Sequence, residues 1–298
     1  MLPWIALGAF VLIALAIDFR ADSHTVPSVR SSLLWSALWT ALGVAFAGVL
    51  VLSGTGSAAA EEYLAGFLVE KSLSLDNLFV FAVLFGFLAV PPSERHRVLI
   101  LGIALAVVLR LVFILVGAAM LETFSFTTYL LGALLALTAF KIAKGGGDHV
   151  DPENTRAMRV LRRVAPNAGP LASALVLVAA FDVMFAVDSI PAIFAITRDT
   201  YIVFAANAFS LLGMISLYFL LDGMLERFRH LHYGLAAILG WVAAKMLLAD
   251  VWHPPITVTL GVIVAALTTA AVTSVIAERR DGRRAGGRLD PATPAEAR

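Results

Sequence analysis

The sequence predicts an all-α, polytopic membrane protein with about nine transmembrane spans, and three observations carry that prediction. Of 298 residues, 60% are hydrophobic and only 14% are charged, with a mean hydropathy of +0.90. A water-soluble globule of this length needs a far more charged exterior. The apolar residues fall in runs of about 16 to 29, the length a helix needs to cross a bilayer. The basic residues gather in alternate connections between those runs, as they do in proteins whose loops alternate across a membrane.

The runs are taken in order. The first, 2–17, has no Lys or Arg ahead of it, so it lacks the charged start of a secretory signal and reads as an uncleaved span. With the run at 33–52 it makes an N-terminal pair within residues 1–60. Runs at 62–90, 97–119 and 124–144 make a three-span unit, 61–144. The connection 145–170 opens with Gly145-Gly146-Gly147 and carries Arg156, Arg159, Arg162 and Arg163, a basic amphipathic stretch suited to an anionic cytoplasmic leaflet. Runs at 171–197, 200–221 and 233–250 make a second three-span unit, 171–250. A last span, 256–277, lies within 251–278, and the tail 279–298, rich in Arg, Gly, Ala and Pro, is expected to be disordered.

Counting alternate connections and termini gives 17 Lys and Arg on one side against Arg198 alone on the other. The excess marks the cytoplasmic face, which puts the N-terminus outside and the C-terminus inside a cell's inner (plasma) membrane. Four bases stay within spans: Lys71, Arg110, Lys141 and Lys245. Lys141 and Lys245 stand near span ends, where a long side chain can snorkel to the surface.

Composition also excludes functions. With 22 Lys+Arg against 21 Asp+Glu there is no basic excess for nucleic acid. The absence of cysteine removes disulfides, zinc-thiolate sites and thiol redox chemistry. The six histidines are scattered at no ligand spacing, and no nucleophile-elbow, zinc-protease, phosphate-loop or dinucleotide motif is present. An enzyme is therefore not expected, nor a permanently bound cofactor.

An internal repeat organises the middle of the chain. Glu70 and Asp76-Asn77 are matched by Asp182 and Asp188-Ser189 at an offset of 112. Glu122, Tyr129 and Lys141 are matched by Glu226, Tyr233 and Lys245 at an offset of 104. Three spans separate equivalents, so the copies insert in opposite directions, the pattern of transporters with a midplane site.

Each ionisable group at bilayer depth costs about 2.5–3.5 kcal/mol on insertion scales, so a span holding Glu70, Lys71 and Asp76 beside Ser72, Ser74 and Asn77 is carried for a purpose. The sixth span repeats this with Asp182 and Asp188. Residues six apart on a helix differ by about 120° and 9 Å; the pair would flank a cavity unless the helix is interrupted. Pro191, which frees the carbonyl of Val187, predicts such an interruption beside Asp188. Carboxylates, an amide, hydroxyls and freed carbonyls form an all-oxygen set that suits Mn²⁺, Mg²⁺ or Ca²⁺. The candidate ligands are Glu70, Asp76, Asn77, Asp182, Asp188 and Ser189, and Met184 would add a thioether only if it faced the same cavity. Lys71 and Arg110 are candidates for charge balance or gating. A purely structural alternative has them salt-bridged to the acids, though four acids against two bases leave two charges for a metal or for protons. Asn207 either joins the site or bonds another helix.

The stretches Glu70-Lys-Ser-Leu-Ser-Leu-Asp76-Asn77-Leu-Phe-Val-Phe81 and Phe181-Asp182-Val-Met-Phe-Ala-Val-Asp188-Ser-Ile-Pro191, continuing to Asn207 and Leu217–Leu221, resemble the TerC family of integral membrane proteins, named for tellurium resistance and including manganese exporters. The resemblance covers about residues 60 to 250. It implies that Glu70, Asp76, Asn77, Asp182 and Asp188 are the family's intramembrane acidic positions and that the activity is divalent-metal efflux, with Mn²⁺ as the transported ion. One departure is Ile215, near which many members carry an arginine. The expectation is an inner-membrane exporter of a hard divalent cation, with protons as a natural counter-ion and the lipid bilayer and the metal as partners. A homo-oligomer, or a complex with other membrane proteins, is compatible with the sequence. The alternative is a membrane scaffold that delivers metal to exported proteins, or supports tellurite or envelope stress resistance, without net transport.

Overall fold

The computed structural model describes residues 2–20, 28–88, 90–124, 126–144, 159, 163, 169–221, 231–252 and 254–286. They form ten helices: α1 (Leu2–Arg20), α2 (Val29–Leu52), α3 (Ser57–Phe87), α4 (Pro92–Thr123), α5 (Thr127–Ala143), α6 (Pro170–Phe194), α7 (Thr200–Leu211), α8 (Met214–Leu221), α9 (Leu231–Leu247) and α10 (Ile256–Gly286). Their ends follow local chemistry. The Ser28 hydroxyl accepts from the Ser31 amide at the start of α2, and Asp199 caps α7 by accepting from the amides of Tyr201 and Ile202 at 2.8 and 3.3 Å. Pro92 and Pro170 open α4 and α6, where a missing N–H removes no helical bond.

Among the described residues, five stretches are long and apolar enough to cross a membrane: Val29–Leu52, Glu94–Thr123, Leu171–Phe194, Thr200–Leu220 and Ile256–Ala277. Leu2–Ile17, Thr127–Ala143 and Tyr233–Leu247 are shorter apolar helices. The chain is thus an all-helical, multi-pass integral membrane protein. Its outward faces carry Leu12, Val108, Leu115, Leu137 and Val264, all exposed, as expected where lipid replaces water.

Thr200–Leu220 is 89% buried, which makes α7 and α8 the centre of the bundle. Helix α3 packs on α7 and α6, α4 on α6 and α7, α5 along α9, and α2 against α3 and α8. Close approaches depend on small residues: a side-chain carbon at Gly66 would come within 3.3 Å of the side chains of both Ile193 and Ala206, so α3, α6 and α7 meet closely there.

Three sequence expectations are corrected. The interruption expected at Pro191 does not occur, and α6 continues through it to Phe194. Pro191 stands in the final turn, where the helix sacrifices one bond and then stops. The break lies instead in the seventh span, expected to be continuous over 200–221: Leu212 is extended and Gly213 has φ +75°, which separates α7 from α8. The last helix also runs past 278 to Gly286, since Ala277-Glu-Arg-Arg continues the turn with good helix formers. The basic connection 145–170, apart from 159, 163 and its last two residues, and the tail from 287 onward lie outside the described residues.

Candidate functional site

The buried charges meet where α3, α4, α6 and α7 come together. Arg110, on α4, is 1% exposed and is the largest fully buried side chain among the described residues. Its guanidinium pairs with Glu70 of α3 and lies 3.6 Å from Asp182 of α6. It also donates to Asn207 Oδ1 of α7 at 2.7 Å, while Asn207 Nδ2 donates to the Val203 carbonyl at 3.0 Å. Acids of the third and sixth spans therefore converge on one cation, with an amide fixing its orientation. Arg110 is the natural choice for that position because its planar fork serves several acceptors at once and stays charged when buried.

Helices α3 and α6, which supply these acids, also carry buried oxygens without hydrogen-bond partners among the described residues. Glu70 Oε2, Asp182 Oδ2, Ser74 Oγ and Ser189 Oγ are buried and form no hydrogen bond among the described residues. Asn77 is buried as well, and Ser72 Oγ donates back to the Leu68 carbonyl at 2.6 Å. Orphaned buried oxygens are costly and suit a polar or cationic ligand. Asp76 and Asp188 belong to α3 and α6, but their side chains lie outside what is described. No group of three or more His, Asp or Glu positioned to hold a metal occurs among the described residues. Met184 is 45% exposed and faces away from the polar cluster, so it adds no thioether.

Lys71 does something the sequence does not indicate. Its ammonium donates to the Ser210 and Leu212 carbonyls at 3.0 and 3.1 Å, at the broken end of α7. Among the described residues it forms no ion pair with a carboxylate. Ser210 Oγ donates to the Asn207 carbonyl at 2.8 Å, so the Arg110 cluster and the Lys71 contact occupy successive turns of one helix. Ser210 and Gly213 are the residues that sequence reasoning misses; a lone glycine inside the apolar run 200–221 is the one local signal for them.

A second polar region lies at the end of the bundle that carries Arg198. A pocket of about 510 Å³ is lined by Glu62, Thr128, Thr197, Arg198, Lys245 and Trp252, with apolar residues between. Lys245 therefore faces a pocket shared with Glu62, whereas Lys141 is exposed near the end of α5. Beside it Tyr129 donates to Asp250, and Arg198 donates to Thr128 at 3.3 Å.

A family model for the integral membrane protein TerC family matches residues 55–282. The chain belongs to the TerC family. It is 39% identical to "Uncharacterized membrane protein STKORF319" of Myxococcus xanthus, over 93% of this chain and 92% of that one. It is 36% identical to "Putative membrane-bound redox modulator Alx" of Escherichia coli K12, over 96% of this chain and 98% of that one. A Mycobacterium bovis membrane protein, Mb2742, is 39% identical over 75% of this chain and 62% of its own length. No solved structure matches the chain. This TerC-family match contains all of the buried polar positions described above, from Glu70 to Ser210.

Proposed function

We propose that this TerC-family chain is an inner-membrane transporter that exports a hard divalent cation, Mn²⁺ foremost, in exchange for protons. The observation that carries the reading is the meeting of Glu70 and Asp182, from the third and sixth spans, on the single guanidinium of Arg110 in the buried centre. Each of those spans holds a further acid six residues on, Asp76 and Asp188, so the acids outnumber the cations available to neutralise them. A divalent cation fits the shortfall, and the donor set of carboxylates, hydroxyls and amides is the one that Mn²⁺ and Mg²⁺ take. Arg110 and the metal cannot use the same carboxylate oxygens together. Metal entry therefore displaces the guanidinium from Glu70 and Asp182 while Asn207, already bonded to it at 2.7 Å, retains it, and metal departure restores the pairing, which keeps the acids neutralised when no metal is bound.

The contact pattern supports two three-helix repeats, and the odd number of spans from one copy to its equivalent sets them in opposite orientation. Exchanging α3, α4 and α5 with α6, α7 and α9 turns the α3–α7 contact into the α6–α4 contact and leaves α3–α6, α4–α7 and α5–α9 unchanged as pairs. A two-fold relation between inverted repeats has this property. Charge distribution supports a cytoplasmic C-terminus.

Purified protein reconstituted into liposomes, with a manganese-sensitive dye inside and a proton gradient imposed, tests the reading. Mn²⁺ flux that Asp182→Asn abolishes is expected; absence of flux from well-inserted wild-type protein would overturn it. A second reading follows from the name of the Escherichia coli relative: a membrane scaffold that influences the redox state of other proteins without net transport. This chain has no cysteine, so such an effect would reach its partners through metal supply rather than thiol exchange.

A further inference from the structure

We infer that the break between α7 and α8 is a site for a monovalent cation and that Lys71 is its built-in occupant. A helix that stops inside a membrane leaves its last carbonyls without partners, at the negative end of the helix dipole. Here those carbonyls are deeply buried, with Ser210 0% and Leu212 1% exposed. Two of them, from Ser210 and Leu212, converge on the Lys71 ammonium at 3.0 and 3.1 Å, both within the ordinary range for N–H···O bonds. The ammonium forms no ion pair with a carboxylate among the described residues. A full positive charge held by backbone carbonyls at an unwound helix end is the arrangement that other transporters give to a free Na⁺. In this chain the charge is attached covalently to α3.

The break is held open from the other side as well. Gly213 has φ +75° and lies flush against α2, where a side-chain carbon would approach Trp39 to 2.6 Å. Trp39 and Lys71 thus bracket residues 212–213, one by shape and one by charge. Ser210 and Asn207 connect the break to the Arg110 cluster within one turn. Movement of Arg110 is thereby coupled to the end of α7, and no soluble monovalent ion is needed to stabilise that end.

This inference goes beyond the transport reading, and its test needs no metal flux. Melting temperatures of detergent-purified wild type, Lys71→Ala and Lys71→Met are compared in methylammonium, sodium and N-methylglucamine chlorides at constant ionic strength. Wild type is expected to melt alike in all three. Lys71→Ala, which opens room at the carbonyls, is expected to melt lower in N-methylglucamine and to regain at least half of the loss in methylammonium or sodium. Lys71→Met, which fills the space without charge, is expected to melt lower in every salt. Equal melting of Lys71→Ala in methylammonium and N-methylglucamine, or wild-type melting of Lys71→Met, overturns the inference. If neither variant accumulates, membrane abundance of Lys71→Arg decides: accumulation of this charge-retaining variant supports a cation requirement, and its failure overturns it.

Discussion

Replacing Arg110 by methionine tests the buried ion cluster that joins α3, α4 and α6. At 3.6 Å the attraction between Arg110 and Asp182 is about 4–5 kcal/mol for an effective dielectric near 20. Most of that offsets the desolvation of the ions, so the attraction itself is not the expected loss. Removal of the guanidinium, however, leaves Glu70 and Asp182 buried without their shared cation and deprives Asn207 Oδ1 of its donor. Uncompensated buried charge costs about 3–5 kcal/mol. At roughly 2 °C per kcal/mol for a chain of this size, the melting temperature should fall by about 6–10 °C. The five tryptophans provide a fluorescence signal for unfolding in detergent. The triple variant Arg110→Met, Glu70→Gln, Asp182→Asn should recover most of the loss, because neutral amides remove the cause of the penalty. If Arg110→Met melts within about 2 °C of wild type, or the triple variant melts no higher than the single one, the buried ion cluster does not have the role assigned to it.

Other expectations concern transport, the helix break and topology. Asp76→Asn, Asp182→Asn and Asp188→Asn should each cut manganese export severely at normal membrane abundance, while Lys245→Ala, at the pocket near Arg198, should change it much less; full manganese resistance of cells carrying the aspartate variants would remove these acids from the site. Gly213→Ala should lower the melting temperature, since it adds left-handed strain of about 1–3 kcal/mol and drives a carbon to 2.6 Å from Trp39; unchanged melting would show that the break is not tightly held. A reporter fused after Arg298 should be active only in the cytoplasm, and activity outside would reverse the charge-based topology.

The sequence exposes the charged positions of this bundle more clearly than their partners. Glu70, Asp182 and Arg110 stand out because charge inside an apolar run needs a reason. Which base meets which acid depends on which helices are neighbours, and no one-dimensional pattern encodes that. Lys71 illustrates the difficulty. Adjacent to Glu70 in sequence, it reads as a salt-bridge partner for the acids, yet consecutive residues point about 100° apart on a helix. Glu70 therefore faces α4 and Lys71 faces the end of α7. Proline and glycine misled in opposite ways. Pro191 is a strong breaker in the interior of a helix but harmless near its end, while Gly213 looks innocuous within an apolar run and is the residue at which the chain turns.

A charge count joins the buried cluster to the proposed transport. Glu70, Asp76, Asp182 and Asp188 bring four negative charges when ionised, and Arg110 and Lys71 bring two positive ones. Two negative charges are left, and a single divalent ion or two protons neutralises them equally well. Exchange of one metal for two protons would then leave the total unchanged in every loaded state, so the low-dielectric centre would never hold uncompensated charge. The consequence is electroneutral transport. In liposomes, Mn²⁺ flux should respond to a pH gradient and be insensitive to a potassium diffusion potential of either sign. Asp182→Asn removes one charge from the count, so any flux it retains should become potential-dependent. Wild-type flux that accelerates or reverses with membrane potential would refute this count, because at least one of the six groups would then not hold the charge assigned to it.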